Sequence, residues 1–226
     1  MNGTQVQCIT FISAVVAYLI GSIPFGLLLG LARGVDIRTR GSGNIGATNA
    51  GRVLGMRYFW YTFILDFAKG FLPVLAVDLI ARHWHGPVWM ALVTAAAAIG
   101  GHVFPCYLRF KGGKGVATTF GVVLGIWPVF TFSGLVAAVV FLFVFLACRM
   151  ISLSSLTAAV VFMVLIPILG HDFGPVLGIL YPQPWNQLMP LIITGWLMGL
   201  LIIIKHRSNI RRLLNGTEPR MGEKHK

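Results

Sequence analysis

The chain has 226 residues, of which 57% are hydrophobic and only 11% charged, with a mean hydropathy of +0.83. A soluble domain carries about 25% charged residues, so a water-exposed globule is excluded and an integral membrane protein is expected. The net charge of +12, from 18 Lys+Arg against 6 Asp+Glu, points to anionic lipid, phosphorylated substrates or nucleic acid, and the placement of the cations must decide among them.

Met1 to Gln7 holds no Lys or Arg. It lacks the basic segment that opens a cleaved signal peptide, so the first apolar run is expected to remain as an anchor. A spanning helix needs roughly 20 apolar residues. The candidates are 8–31, 58–81, 88–104, 116–146, 153–170 and 188–204. The run 116–146 would make a helix of about 46 Å, too long for one crossing. Pro128, followed by Ser133-Gly134, offers a break, giving two short spans or one very tilted helix.

Charge sets the parity, because Lys and Arg mark the cytoplasmic side. Sixteen of the 18 fall in the loop 32–57, around 109–114, at Arg149 and in the tail from Lys205. Lys114 and Arg149 share a side only if the chain between them crosses twice. The expectation is therefore an all-α membrane protein with seven transmembrane helices, the N-terminus outside and the C-terminus cytoplasmic, forming one domain over 1–226. Cys8, Cys106 and Cys148 lie far apart without a C-x-x-C and read as free thiols. No His/Cys/carboxylate group has ligand spacing, so neither a metal nor a cofactor is expected.

Three cytoplasmic segments carry chemistry. The first, Arg40 to Arg52, holds four glycines with Ser42, Asn44, Thr48 and Asn49. Glycines let successive N–H groups converge on an anion, and Arg52 can grip a phosphate with two bonds. The bland alternative is a basic loop resting on lipid headgroups. Gly41-x-Gly43-x-x-Gly46 matches the dinucleotide-binding string but follows an arginine-rich turn rather than a strand, so that reading is rejected.

The second segment joins Gly101-His102-Val103-Phe104-Pro105 to Phe110-Lys111-Gly112-Gly113-Lys114-Gly115. Lys111 and Lys114 flank two glycines at an expected helix start, a second anion site; the alternative is a juxtamembrane anchor. A phosphate-binding P-loop is excluded, since Gly115 stands where Ser/Thr should hold magnesium and Leu108 where the first glycine belongs. His102 is read equally as a core or a functional histidine.

The third segment, 205–218, places His206 and Asn209 three apart on one helical face. Arg207 and Arg211 lie beside them, and Glu218 is its only acid, suited to holding a cation. By composition alone an ordinary basic tail explains it as well. Within the second span, Asp66 and Lys69 sit at i and i+3. An internal ion pair is the plain reading and support of the first loop the sharper one.

The strings Gly-Ser-Ile-Pro at 21–24, Gly-Ser-Gly-Asn-Ile-Gly-Ala-Thr-Asn at 41–49, Gly-His-Val-Phe-Pro at 101–105, Phe-Lys-Gly-Gly-Lys-Gly-Val-Ala-Thr at 110–118, and His-Arg-Ser-Asn-Ile-Arg-Arg-Leu with Gly-Thr-Glu at 206–218 occur in that order. Together they resemble the bacterial acyl-phosphate:glycerol-3-phosphate acyltransferases (PlsY-type). A loop at 171–187 looks long for that family. The resemblance implies transfer of a fatty acyl group from acyl phosphate to the 1-hydroxyl of glycerol 3-phosphate, an early step of phospholipid synthesis.

It also implies the roles. Ser42 and Arg52 would hold the glycerol 3-phosphate, with Asn44, Thr48, Asn49, Arg207 and Glu218 also at the substrates. Lys111 and Lys114 would offset charge on the acyl phosphate, which Gly112 and Gly113 let backbone N–H groups reach. His206 and Asn209 would orient the glycerol hydroxyls, with His206 or a substrate phosphate taking the proton. Direct attack is favoured over an acyl-enzyme on Ser42. The expected partners are the two substrates and membrane lipid, with no nucleic acid, and a monomer is taken as the working unit. No histidine has Asp five residues on, so the His-x4-Asp base of other glycerol 3-phosphate acyltransferases is absent. An anion transporter and a lipid-binding scaffold are the rival classes. The first would show repeats and polar groups at the midplane; the second leaves the glycine–asparagine loop unexplained.

Overall fold

The computed structural model describes residues 1–171 and 185–222. All regular structure in these residues is helical, and the chain forms two compact units, Met1–Ile126 and Trp127–Lys226. Five segments are long and apolar enough to cross a membrane: Gly3–Leu31, Trp89–Leu108, Val129–Cys148, Ile151–His171 and Leu188–Lys205.

In the first unit, α1 (Gly3–Gly21) starts on a capping box in which the Asn2 side chain takes the Gln5 N–H and Gln5 returns a bond to the Asn2 N–H. It stops before Pro24, which cannot donate to the helix, and α2 (Phe25–Leu31) resumes beyond it. After the loop come the short α3 (Ala47–Leu54), the long α4 (Met56–His83), α5 (Trp89–Val103) and α6 (Val116–Gly125). Small residues bring these helices together. A Cβ on Gly21 would strike the Ala98 carbonyl, and one on Gly101 would strike the Tyr18 carbonyl, so α1 and α5 touch backbone to backbone. Gly70 meets Thr118 and Gly121 meets Phe67 in the same way, joining α4 to α6.

The second unit contains α7 (Val129–Cys148), α8 (Ile151–His171), α9 (Trp185–Lys205) and the short α10 (Arg207–Leu214). The outer face of α7 is bare hydrocarbon, with Phe143 74% exposed. Such a surface suits lipid and not water.

The run 116–146 is two helices, α6 and α7, and the chain breaks just before Pro128. Ser133 and Gly134 are buried inside α7 and do not contribute to that break. Two of the seven expected crossings lie outside the five apolar segments. One is α4, which carries buried Asp66, Lys69 and Asp78. The other is α6, whose 10 residues reach only about 15 Å. The long loop expected at 171–187 lies, between 172 and 184, outside the described residues.

Candidate active site

The loop between α2 and α3 is wound around one side chain. Asn49, 1% exposed on α3, donates through Nδ2 to the carbonyls of Ile37 and Asn44, both at 2.8 Å, and of Arg40 at 3.2 Å. Its Oδ1 accepts the Ser42 N–H at 2.8 Å. Asn44 folds the next turn by accepting the Gly46 N–H at 2.9 Å. Gly41 and Gly43 take positive φ (60° and 69°), which only glycine adopts freely. Ile37 and Ile45 anchor the loop in a small core with Leu27, Ala50 and Tyr58. Asn49 was expected at the substrates, but its donors are spent on main-chain carbonyls inside the protein. Ser42 and Arg52 face outward, and Thr48 is half-buried. Thr48 and Arg52 share a face of α3, four residues apart.

The loop between α5 and α6 is seated on His102. The His102 carbonyl accepts the Gly113 N–H at 3.2 Å. A Cβ at Gly113 would strike the imidazole, and one at Gly112 would strike the His102 carbonyl and the Pro105 ring. The glycine pair thus permits close approach to the end of α5, and the Gly113 N–H is directed at a protein carbonyl rather than at a ligand. The His102 ring is buried, its Nδ1 3.1 Å from Thr118 Oγ1 in the first turn of α6. Lys111 is exposed and Lys114 half-buried. Gly115 precedes α6 at φ 82° and offers no side-chain cap to the first N–H groups of the helix, which follow directly on Lys114 in the chain. Since α5 packs antiparallel on α4, both loops lie at the same end of this unit.

The third segment belongs to the second unit. His206 is 3% exposed at the start of α10, with Nδ1 2.8 Å from the Ile202 carbonyl. A neutral ring donating there carries its lone pair on Nε2. Buried Asn209 donates to Glu218 Oε1 at 2.6 Å, Ser152 donates to the same oxygen at 2.6 Å, and Arg212 Nε donates to Oε2 at 2.7 Å. Burial acts to raise the Glu218 pKa. The bonds from Ser152, Asn209 and Arg212, with the Arg212 charge, outweigh it and hold the carboxyl below its ordinary value. Glu218, expected at the substrates, forms a clasp between the tail, α8 and α10, and the cation it holds is Arg212. Arg207 and Arg211 are exposed. Ser152 and Arg212 escaped the sequence reading because nothing about a serine after a helix start, or one arginine among several, marks a partner.

The glycerol-3-phosphate acyltransferase family model matches residues 11–216. The chain belongs to this family. Among its acyltransferase relatives, that of Geotalea daltonii is 47% identical over 203 residues, covering 89% of this chain and 92% of the relative. That of Aquifex aeolicus is 42% identical, covering 90% and 95%. Two crystal structures of PlsY (YgiH), an integral membrane glycerol 3-phosphate acyltransferase, share 40% of residues over 94% of this chain. The glycerol 3-phosphate form, 96% covered, gives a TM-score of 0.77, and the lysophosphatidic acid form, 95% covered, gives 0.74. Family membership makes the chain a membrane acyltransferase of phospholipid biosynthesis.

Proposed function

We propose that the protein transfers a fatty acyl group from acyl phosphate to the 1-hydroxyl of glycerol 3-phosphate at the cytoplasmic face of a bacterial inner membrane. The observation that carries this reading is a pair of internally braced loops at one end of the first unit, which leave Ser42 and Lys111, and Arg52 on the adjoining α3, facing outward. Two phosphorylated substrates repel each other, and fixed cations offset that repulsion. Each charge-assisted hydrogen bond contributes about 1.5–3 kcal/mol. Bracing fixes the backbone that carries these cations, so that only their side chains remain to be ordered on binding.

In the reaction the glycerol hydroxyl attacks the acyl carbonyl carbon. The bond from that carbon to the phosphate oxygen breaks, and the products are 1-acyl-glycerol 3-phosphate and inorganic phosphate. The hydroxyl proton passes to the departing phosphate or to His206 Nε2. Ser42 and Arg52, aided by Thr48, Asn44 and Arg207, hold the glycerol 3-phosphate. Lys111 and Lys114 offset charge on the acyl phosphate, and Asn209 helps orient the hydroxyls. Asn49, Gly112, Gly113 and Glu218 serve by shaping the site. In this reading α4 and α6 cross with the five apolar segments, giving seven crossings with the N-terminus outside and the C-terminus cytoplasmic.

The test uses purified protein in lipid with labelled glycerol 3-phosphate and, separately, acyl phosphate, acyl-CoA or acyl carrier protein. A monoacyl product with acyl phosphate alone is expected, and product only with a thioester would overturn the donor assignment. Arg52→Ala should raise the KM for glycerol 3-phosphate about tenfold, the loss of one charged contact, and shift that for acyl phosphate less. Equal shifts would contradict the division of the site.

A further inference from the structure

A buried charge pair lies beneath both loops of the first unit. Asp66 and Lys69 are both buried on α4, with Lys69 Nζ 2.7 Å from Asp66 Oδ1. Burying two charges inside a span is costly, and well-packed apolar residues would serve stability at least as well. The pair therefore calls for a role other than packing, and its remaining contacts supply one.

Lys69 Nζ also donates to the Ile23 carbonyl at 2.7 Å and lies 5.5 Å above the Phe25 ring. These are the residues on either side of Pro24, where α1 ends and α2 begins. Three residues beyond Ile23, Gly26 is pressed so closely to the Ile45 carbonyl that no Cβ fits. The start of α2 is thus the seat of the loop that Asn49 organises. On the other side, Asp66 Oδ1 is 3.8 Å from His102 Nδ1, which is 3.1 Å from Thr118 Oγ1. The ring thus lies within ion-pair distance of the Asp66 carboxylate while Nδ1 shares a hydrogen bond with Thr118 Oγ1. The same histidine holds Gly113 through its carbonyl and leaves no room there for a side chain.

We propose that the Asp66–Lys69 pair is a positioning device that sets the two glycine-rich loops relative to each other, Lys69 acting through the Ile23 carbonyl and Asp66 through His102. Neither residue touches substrate. The inference rests on the reading under Proposed function that these loops carry the substrate-binding cations. It adds that their spacing is fixed from within the bilayer by one pair of charges.

The test compares wild type, the single variants and the double variant Asp66→Asn/Lys69→Met in lipid discs. It measures melting, kcat and KM, and amide exchange over 36–46 and 110–116. Each single variant leaves one charge buried without its partner and should melt lower than the double variant. The double variant should melt close to wild type, yet show kcat/KM reduced about tenfold and faster exchange in both loops, as expected when reacting groups are slightly misplaced. If its kcat/KM and loop exchange match wild type, the pair is only a satisfied ion pair and the proposal falls.

Should the double variant not fold, Thr118→Val decides, because it keeps both charges. Faster exchange in 110–116 with 36–46 unchanged shows that the orientation of His102 seats the second loop, as the Asp66 arm requires, and unchanged exchange in both refutes that arm. Wild type that makes no acyl product from acyl phosphate would sink the functional reading alone. The exchange data would still judge the coupling of the loops.

Discussion

The first loop and the carboxy-terminal segment are each organised by one polar side chain, but by different physics. Asn49 is a neutral amide that binds main-chain carbonyls and one N–H. Glu218 is a carboxylate that gathers three side chains, one of them a cation. An amide spool fixes backbone shape at any pH. A carboxylate clasp fixes side chains only while it is ionised. The loop that carries Ser42 and leads into α3 thus has a shape insensitive to acid, whereas the segment holding Asn209 does not.

The largest effect should come from breaking the spool. Asn49→Ala leaves the Ile37, Asn44 and Arg40 carbonyls without their donor and should cut kcat/KM about 100-fold through misplacement of the loop. Steady-state assays in lipid discs check this, and a drop below threefold would show that the loop holds its shape without Asn49. Gly112→Ala comes next. Its methyl meets a backbone carbonyl that cannot easily move, and the protein should lose about 2 kcal/mol of stability, read by thermal unfolding.

Glu218→Gln keeps an acceptor but loses the charge paired with Arg212. A loss of about 1–2 kcal/mol is expected at neutral pH. The folded carboxyl is held below its ordinary value of 4.5, so its contribution is complete above that pH and fades as pH falls through the lowered value. The difference between wild type and Glu218→Gln should therefore vanish in acid, while the Asn49→Ala deficit should not change with pH. Parallel profiles for the two variants would erase the distinction between spool and clasp. The smallest effect belongs to Asp36→Asn. Arg38 holds that exposed carboxyl low, but surface pairs contribute little, and neither melting nor kinetics should change measurably.

The apolar runs were legible because lipid demands long hydrocarbon segments. The run 153–170 lies within α8 and 188–204 within α9. The break before Pro128 was legible too, since proline cannot continue a helix. Less legible was the direction of polar side chains. Asn44 and Asn49 occupy one string, yet Asn49 faces inward because α3 turns that face toward the loop. Glu218 looked like a residue for substrate because composition reveals charge and not its partner in α8, 66 residues earlier. Gly112 and Gly113 suggested exposed N–H groups, but glycine equally signals a close neighbour, and here that neighbour is His102.

The tight contact of α4 with α6 bears on how the chain is made. An Asp or Lys at the centre of a lone transmembrane helix costs about 2.5–3.5 kcal/mol on insertion. When α4 leaves the ribosome, α6, which packs against Gly70 through Thr118, has yet to be synthesised. In the proposed seven-crossing arrangement, a chain arrested between the two would leave bare the face of α4 that Thr118 covers at Gly70, and should be less firmly held in the bilayer than one extended past Gly125.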